Sequence, residues 1–303
     1  MIPLGVLASA YLPAAGGWVA AGAGGKLATS PDGINWTQRA SRFGTSGTIF
    51  GVAHDGTQWV EAGYNGMLAT SPDGINWTRR TSGFEVTYTS MLYAVAHGGT
   101  QWVVAGYGGK LATSPDGITW TQRESGFGSS GIYAVAHDGL QWVAAGADGK
   151  LATSSDGITW TQRTSFSSTT INTVAHDGTQ WVAAGQSGML ATSPDGINWT
   201  QRTSGFGTQA INTVAHDGTQ WAAAGGSGQL ATSPDGVTWT QRTSSFESTP
   251  IFGVAHDGTQ WIAVGQSDKL ATSPDGINWT QRTSGFVSSL IRTVAHVQAA
   301  GAA

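Results

Sequence analysis

The sequence predicts an all-β chain folded as a seven-bladed β-propeller of four-stranded antiparallel blades. Three observations predict this fold: one segment occurs seven times, its period is about 40 residues, and no stretch keeps a helical period. The segment "LATSPDGINWTQR", residues 27–39, recurs almost unchanged at residues 270–282. A period near 40 residues with four short strands in each copy is typical of propeller blades.

One unit, residues 211–246, shows the order of the four strands. "INTVAH" alternates apolar and polar residues, and the "DG" after it predicts a two-residue hairpin. "TQWAAAG", "LATS" and "VTWTQRTS" are the next three strands, separated by the turns "GSGQ" and "PDG". Gly interrupts the chain too often for a long helix, since it accounts for 45 of the 303 residues.

The turn between the third and fourth strands, S-[PS]-D-G, has a physical reason for each letter. Ser suits the first position of a type I turn, Pro presets φ at the second, and Gly tolerates positive φ at the fourth. The Asp carboxylate is expected to accept backbone N–H groups of the turn. Because the same turn occurs seven times, we interpret these carboxylates as structural rather than catalytic. The seven Ser–Asp pairs are Ser30 and Asp32, Ser71 and Asp73, Ser114 and Asp116, Ser154 and Asp156, Ser193 and Asp195, Ser233 and Asp235, and Ser273 and Asp275.

The count of repeated letters predicts how the ring closes. "VAH" occurs seven times, but the first repeat, which carries Trp18, has no "VAH" before it, and the last is followed by an extra "IRTVAH". We therefore predict that a strand at about residues 291–296 completes the first blade, so that no sheet edge is left between the chain ends. The chain, 1–303, is then one propeller domain, with 1–10 as a degenerate N-terminal segment and 297–303 as a tail.

The repeated letters also resemble known families. The box S-x-D-G-x-x-W resembles the Asp-box, or BNR repeat, of sialidase-like propellers, although it is one residue shorter than the common form. The longer pattern V-A-H-D-G-T-Q-W-V-A-A-G-x-x-G-x-L-A-T-S-P-D-G-x-x-W, over about residues 11–296, is similar to blades of Ycf48-type photosystem II assembly factors. The resemblance implies that the box lies between the third and fourth strands and that the first strand lies nearest the axis. Such propellers include enzymes, lectins and assembly factors, so the resemblance favours a fold more than a function.

Composition removes several function classes. The net charge of −4 and pI near 5.9 argue against a nucleic-acid partner, which requires a basic face. No apolar run reaches the roughly 18 residues of a membrane span, so we expect no membrane insertion. The absence of cysteine excludes disulfides, thiolate metal sites and cysteine nucleophiles.

The copies differ mainly in the second-to-third turns and in the connections between blades. Because strand direction alternates, both sets lie at one end of the ring, opposite the "HDG" and "SPDG" turns. The varied side chains can stack on a ligand or hydrogen-bond to it, although drift in an unused loop produces the same variation. The predicted ligand-binding residues are Tyr64, Asn65, Tyr107, Asp148, Gln186, Ser187 and Gln266.

Other repeated or scarce residues favour structural roles. The Arg of each "TQR" is interpreted as a charge that protects the outermost strand from edge pairing. The seven "VAH" histidines are expected to serve the adjacent turns, because a ring of seven is too spread out to hold a metal. Four Glu at unmatched positions argue against a paired-carboxylate enzyme. Four N-W-[ST] sequons are expected to lie inside a paired strand, which argues against glycosylation. We therefore expect no catalytic residue, no metal and no cofactor.

The leading hypothesis is a non-enzymatic, lectin-like module that binds a glycan or polysaccharide in inter-blade grooves, since linked weak sites suit a repetitive ligand. Such a ligand would place the chain outside the cell or at its surface, a compartment that the sequence itself does not indicate. The alternative is a structural or assembly-factor propeller that binds a protein partner. A third interpretation is a recently amplified or engineered propeller without a ligand.

Overall fold

A computed structural model describes residues 17–87, 89–287 and 289–297, and it contains seven four-stranded antiparallel sheets. The innermost strands of neighbouring sheets lie beside each other around a full circle, so the sheets are the blades of a ring. The predicted fold is confirmed: seven blades of four strands around a central axis.

The strand bounds are as follows. Blade 1 contains β1 (Trp18–Gly22), β2 (Lys26–Ser30), β3 (Thr37–Ala40) and the last strand, β28 (Ile291–His296); blade 2 contains β4 (Ile49–His54), β5 (Trp59–Gly63), β6 (Met67–Ser71) and β7 (Thr78–Thr81); blade 3 contains β8 (Leu92–Gly98), β9 (Gln101–Gly106), β10 (Leu111–Ser114) and β11 (Thr121–Arg123); blade 4 contains β12 (Ile132–His137), β13 (Trp142–Gly146), β14 (Leu151–Ser154) and β15 (Thr161–Arg163). Blade 5 contains β16 (Ile171–His176), β17 (Trp181–Gly185), β18 (Leu190–Ser193) and β19 (Thr200–Arg202); blade 6 contains β20 (Ile211–His216), β21 (Trp221–Gly225), β22 (Leu230–Ser233) and β23 (Thr240–Arg242); blade 7 contains β24 (Ile251–His256), β25 (Trp261–Gly265), β26 (Lys269–Ser273) and β27 (Thr280–Thr283). Short 3₁₀ turns follow five of the second strands, at Tyr64–Gly66, Tyr107–Gly109, Ala147–Gly149, Gln186–Gly188 and Gly226–Gly228.

The ring is closed by the C-terminal strand, as predicted. β28 pairs antiparallel with β1 and places His296 opposite Trp18 and Val294 opposite Ala20. Blade 1 therefore takes its innermost strand from one end of the described chain and its other three strands from the opposite end. Residues 1–10 and 298–303 lie outside the described residues.

The core lies between the blades. The second strands are buried on both sides, with Trp181 and Trp221 fully covered. Each cluster joins residues of two adjacent blades; Val182 and Leu190 of blade 5, for example, pack with Phe206 of the following connection and Trp221 of blade 6. Because every blade needs a neighbour on each side to cover its faces, burial and ring closure depend on each other.

The predicted two-residue hairpin after "VAH" is wrong in most blades. In blade 5, His176 pairs with Trp181, so four residues, 177–180, form the loop. The reason is the Asp side chain: Asp177 Oδ1 accepts the backbone N–H groups of Thr179 and Gln180 at 2.7 and 2.8 Å and stabilises the wider turn. Blade 3 has Gly98 at the Asp position, and there pairing continues to Gly98 and Gln101, which leaves a two-residue loop.

No helix in the described part of the chain is long and apolar enough to cross a membrane.

Candidate functional site

One end of the ring, here called the uniform face, carries the loops after the first and third strands of each blade. In all seven third-strand turns, the Ser Oγ donates to the Asp Oδ1 at 2.9–3.0 Å. In the first copy, Asp32 Oδ1 also accepts the backbone N–H groups of Ile34 and Asn35 at 2.9 and 2.8 Å. These hydrogen bonds, first of all the one from the Asn35 backbone, hold the pKa of Asp32 well below its usual value. A carboxylate so fully used by its own turn is a poor candidate for catalysis.

The seven histidines lie at the inner end of the same face and are used by their hairpins. Each imidazole packs on the Trp that begins the second strand, with ring centroids 4.7–4.9 Å apart. In five blades the Nδ1 accepts a backbone N–H two residues on, as in His176 with Gly178 at 3.0 Å. Burial lowers the pKa of every one of these histidines, so the neutral form is favoured.

The outermost arginines hold their own blades together. In each blade the Arg Nε donates to the Thr Oγ1 of the adjacent third strand at 2.8–3.0 Å, as in Arg202 with Thr192. They are spread over seven outer strands and do not converge on one point.

The sequons do not lie inside a strand, contrary to the sequence interpretation. Asn35 is exposed in the turn before β3, and its side-chain amide donates to Asp32 Oδ2 at 2.8 Å. Asn76, Asn198 and Asn278 make the same bond in their own turns. The alternation of "INWT" resembled a strand, but the Asp carboxylate keeps these residues in the turn.

A glutamine joins each blade to the next across the uniform face, except at one junction. In six blades the Gln before the second-strand Trp donates to the backbone carbonyl of the turn Asp of the following blade; Gln260 of blade 7 reaches Asp32 of blade 1 at 2.7 Å. Blade 1 has Gly17 at this position. Beside it, between blades 1 and 2, lies a cleft of about 260 Å³ lined by residues that include Trp18, Trp59 and Asp73.

The opposite end, here called the varied face, carries the predicted ligand-binding residues. The second residue of each second-to-third turn has a left-handed backbone, with φ of 57° at Asn65 and Asp148 and 56° at Ser187. Asn, Asp and Gly tolerate this conformation best, so part of the variation is set by the backbone. Asp148 is also used internally, because its Oδ2 accepts a hydrogen bond from the Ser130 hydroxyl at 2.7 Å.

The other predicted residues share this face but belong to different blades. Tyr107 of blade 3 is 44 % exposed, and Gln186 and Gln266 of blades 5 and 7 are exposed. Tyr64 is partly buried against the core between blades 1 and 2. The seven predicted residues thus share one end of the ring but are spread over blades 2, 3, 4, 5 and 7, and they do not form a single cluster.

Sequence reasoning missed a third set of varied residues, the second residue of each innermost strand. Because the first strands start at the varied face and surround the axis, these seven side chains form a ring, here called the inner ring, near that mouth of the central channel. The signal was present in the sequence, since each residue precedes a nearly constant "VAH" ending. The inner ring consists of Phe50, Tyr93, Tyr133, Asn172, Asn212, Phe252 and Arg292.

Tyrosines are concentrated in one part of the varied face. Four of the six tyrosines are described, and all four, Tyr64, Tyr93, Tyr107 and Tyr133, lie in blades 2–4; they are called here the aromatic sector. The Tyr93 and Tyr133 rings stack at 4.9 Å, with 18° between their planes. Burial, and then the neighbouring Tyr133 and Tyr107, raise the pKa of Tyr93. The sector therefore contains a stacked tyrosine pair with Tyr107 nearby, and Tyr11 and Tyr88 lie outside the described residues.

The equivalent positions in blades 5 and 6 are polar or small. Asn172 and Asn212 replace the inner-ring tyrosines, and their amides donate to the backbone carbonyls of the next blade, at 2.9 and 2.8 Å. Gln186 and Gly226 occupy the turn position of Tyr107. The varied face is thus asymmetric, with an aromatic arc on one side and an amide arc on the other.

Comparisons with known proteins agree with this architecture. A family model described as the DUF6242 β-propeller domain matches residues 30–164 and 71–203, which together cover more than half of the chain. A search of curated proteins finds no match.

Several solved structures have the same fold at low sequence identity. YCF48 from Cyanidioschyzon merolae matches at a TM-score of 0.64 and 18% identity, over 88% of this chain and 92% of that one. A structure of YCF48 bound to D1 peptide matches at 0.66 and 17%, over 86% and 88% of the two chains. The WD40 propeller domain of Doa1 matches at 0.62 and 9%, over 85% and 86%. At these identities the likeness concerns the fold, and the resemblance of the turns to Asp-boxes of sialidase-like propellers stays a prediction.

Proposed function

The chain belongs to the family of DUF6242 β-propeller domains, and we propose that it is a non-enzymatic recognition module that binds a protein segment on its varied face. The observation that carries this proposal is the concentration of all four described tyrosines in blades 2–4. Tyrosine is enriched at the centres of protein interfaces because it combines a large apolar ring with a hydroxyl.

The exposure of the sector fits such a contact. Tyr107 is 44 % exposed and Tyr133 is 36 % exposed, and Val86, in the connection between blades 2 and 3, is 66 % exposed. These side chains lie at the same end of the ring as the connections between successive blades. The uniform face has no such connections. A patch on one sector is what a single partner surface would use, whereas a ring of equivalent glycan sites would repeat in every blade.

The solved structures with the same fold also support the binding of a protein segment. One of them is YCF48 bound to D1 peptide, so a propeller of this architecture accepts a peptide. Carbohydrate binding, the function that the sequence alone favoured, has no support in these comparisons. The left-handed backbone at Asn65, Asp148 and Ser187 also offers a conformational reason for letters that were first interpreted as glycan contacts.

A parallel selection tests the proposal. A random peptide library is selected on the folded protein while the same sample is applied to a glycan array. The selected peptides are then titrated against a Tyr107→Ala/Tyr133→Ala variant and a matched control, Gln186→Ala/Gln266→Ala, which removes exposed side chains of the same face outside the sector. We expect the tyrosine variant to weaken peptide binding by about tenfold or more and the control to leave it unchanged.

Two outcomes contradict the proposal. Peptide affinity that falls equally in the two variants would remove the special role of the sector. Absence of selected peptides together with a glycan signal that the Gln186→Ala/Gln266→Ala variant weakens would restore the carbohydrate hypothesis.

A further inference from the structure

One member of the inner ring is a cation that has no counter-charge among the described residues. Arg292 is the second residue of β28, the strand that closes blade 1, and it is half-buried. Its Nε is buried and has no hydrogen-bond partner among the described residues. The one ion pair found in the described part of the chain joins Lys269 to Glu247 and does not involve Arg292.

The surroundings of Arg292 are aromatic. Its guanidinium carbon lies 4.5 Å from the centroid of the Phe252 ring, a cation–π contact with the innermost strand of blade 7. On the other side, Phe50 occupies the same position of the innermost strand of blade 2 and packs edge-on against Tyr93 at 5.3 Å. Arg292 therefore lies between Phe252 and Phe50, the aromatic residues at the same position of the two neighbouring innermost strands.

The two asparagines of the inner ring show how a polar side chain at this position can be satisfied by the backbone of the next blade. Asn172 and Asn212 each donate to a backbone carbonyl of the next innermost strand. Among the described residues Arg292 makes no such bond, and its buried Nε keeps an unused donor. The guanidinium of Arg292 is therefore partly desolvated, and a carboxylate suits it best because two oxygens match the planar fork.

We infer that the varied-face mouth of the channel holds a binding site for a carboxylate joined to an aromatic or apolar group, with Arg292 gripping the carboxylate. Phe252 and Phe50 would contact the apolar part. The carboxylate can belong to a small molecule or to a peptide, as an acidic side chain or a free C-terminus. This site does not depend on the aromatic sector, so it can be correct even if the proposed protein binding is wrong.

The repeats supply a variant that should keep the fold. Arg292→Asn converts "IRTVAH" into "INTVAH", the sequence already present at residues 171–176 and 211–216. Arg79→Gln is the charge-matched control: it removes one positive charge from the outer strand of blade 2 and restores the Gln found at this position in the other blades. Circular dichroism and thermal unfolding confirm that both variants fold before binding is measured.

The probe is phenylacetate, and phenylacetamide is its neutral counterpart. Titrations followed by heteronuclear NMR should show phenylacetate binding the wild type and the Arg79→Gln variant alike. Compared with phenylacetate and the wild type, we expect phenylacetamide to bind the wild type at least about tenfold more weakly. We expect the same loss for phenylacetate with Arg292→Asn. Equal binding of the two probes to the wild type, equal binding of phenylacetate to wild type and Arg292→Asn, or no binding by the wild type up to about 10 mM would each overturn the inference.

A second arm distinguishes the sources of the carboxylate. Short peptides that end in Phe with a free carboxylate are compared with the same peptides amidated, and with amidated peptides that carry an internal Glu beside Phe. If the peptides with a free C-terminal carboxylate bind in an Arg292-dependent way, the ligand is a chain end. If the amidated peptides with an internal Glu do so, the ligand is an acidic side chain. If phenylacetate binds and no peptide does, the site is one for small molecules.

Discussion

Glu61 is the buried ionisable group whose replacement tests the packing of the ring most sharply. It lies on β5, opposite Val52 and Ala69, at the interface of blades 1 and 2, and it is 0 % exposed. Neither carboxylate oxygen accepts a well-formed hydrogen bond among the described residues, and the backbone N–H of Arg42 compensates the burial only weakly. Burial raises the pKa of Glu61 well above its usual value of 4.5.

The sign of the effect follows from this shift. A carboxyl group whose pKa is raised on folding is held protonated by the native state. Its contribution to stability is complete below pH 4.5 and is lost as the pH rises toward the raised pKa. The loss amounts to about 1.4 kcal/mol for each pH unit in that window. Glu61→Gln has the same size and cannot ionise, so the difference in unfolding free energy between wild type and variant should grow with pH.

The repeats also predict the effect of Glu61→Ala. Five blades carry Ala at this strand position, at Ala20, Ala144, Ala183, Ala223 and Ala263. The substitution removes two buried methylenes, at about 0.8 kcal/mol each. It also relieves an unsatisfied buried polar group, which costs about 1–3 kcal/mol even when it is neutral. These effects nearly cancel at pH 4, and the variant should become the more stable protein as the pH rises.

Urea unfolding of wild type, Glu61→Gln, Glu61→Ala and the exposed control Glu124→Gln, at several pH values between 4 and 7, checks these expectations. The histidines and turn aspartates titrate in all four proteins, so their contributions cancel in the differences. A difference between wild type and Glu61→Gln that stays constant with pH, or one that shrinks as the pH rises, would refute the reasoning.

Three further perturbations have defined outcomes. Asp195→Asn should cost about 1–3 kcal/mol of unfolding free energy, because it removes the charged acceptor of its turn. Asn198→Thr, which copies blades 3, 4 and 6, should cost little. Because hydrogen bonds lower the pKa of Asp195 from 3.8, the stability difference between wild type and Asp195→Asn should be complete above about pH 4 and decrease progressively as the pH falls from there toward the lowered pKa, as acid titration of the two proteins will show. Gly17→Gln should supply the missing inter-blade hydrogen bond to the carbonyl of Asp73 and add about 0.5–1.5 kcal/mol, while Gln260→Ala should subtract a similar amount; equal thermal midpoints in all three proteins would contradict the role of these glutamines. Val294→Asp places a charge in the buried face of the closing strand and should greatly increase proteolysis of the ring. The control Val86→Asp, at an exposed position, should not. Equal protease resistance of the two variants would argue against closure by β28.

Much of the fold could be predicted because the repeats supply their own comparison. Seven copies of one turn and one orphan "VAH" sufficed to predict blade number, strand order and closure by residues 291–296. The hairpin after "VAH" formed as predicted, but its loop length was wrong because an Asp-Gly pair predicts two loop residues only when the Asp side chain does not cap a wider turn, as Asp177 does. The sequons were misplaced for the same reason, since the Asp32 carboxylate holds Asn35 in a turn.

The candidate site was predicted less well. The varied turns were found from the sequence, but the left-handed backbone that selects Asn65 and Asp148 is a property of the folded turn. The inner ring escaped notice because a single varied letter within a strand resembles ordinary drift. Only the ring places Arg292, Phe50 and Phe252, which are far apart in the chain, on neighbouring innermost strands. The burial of Glu61 likewise follows from the packing of blade 2 against blade 1.

Hydrogen–deuterium exchange of the protein with a selected peptide tests the central claim most directly. We predict that the peptide slows exchange at the varied-face ends of β8, β9 and β12 in blades 3 and 4, and leaves the equivalent segments of blades 5 and 6 unchanged. Protection that is equal in all seven blades, or confined to the uniform face, would contradict recognition by the aromatic sector.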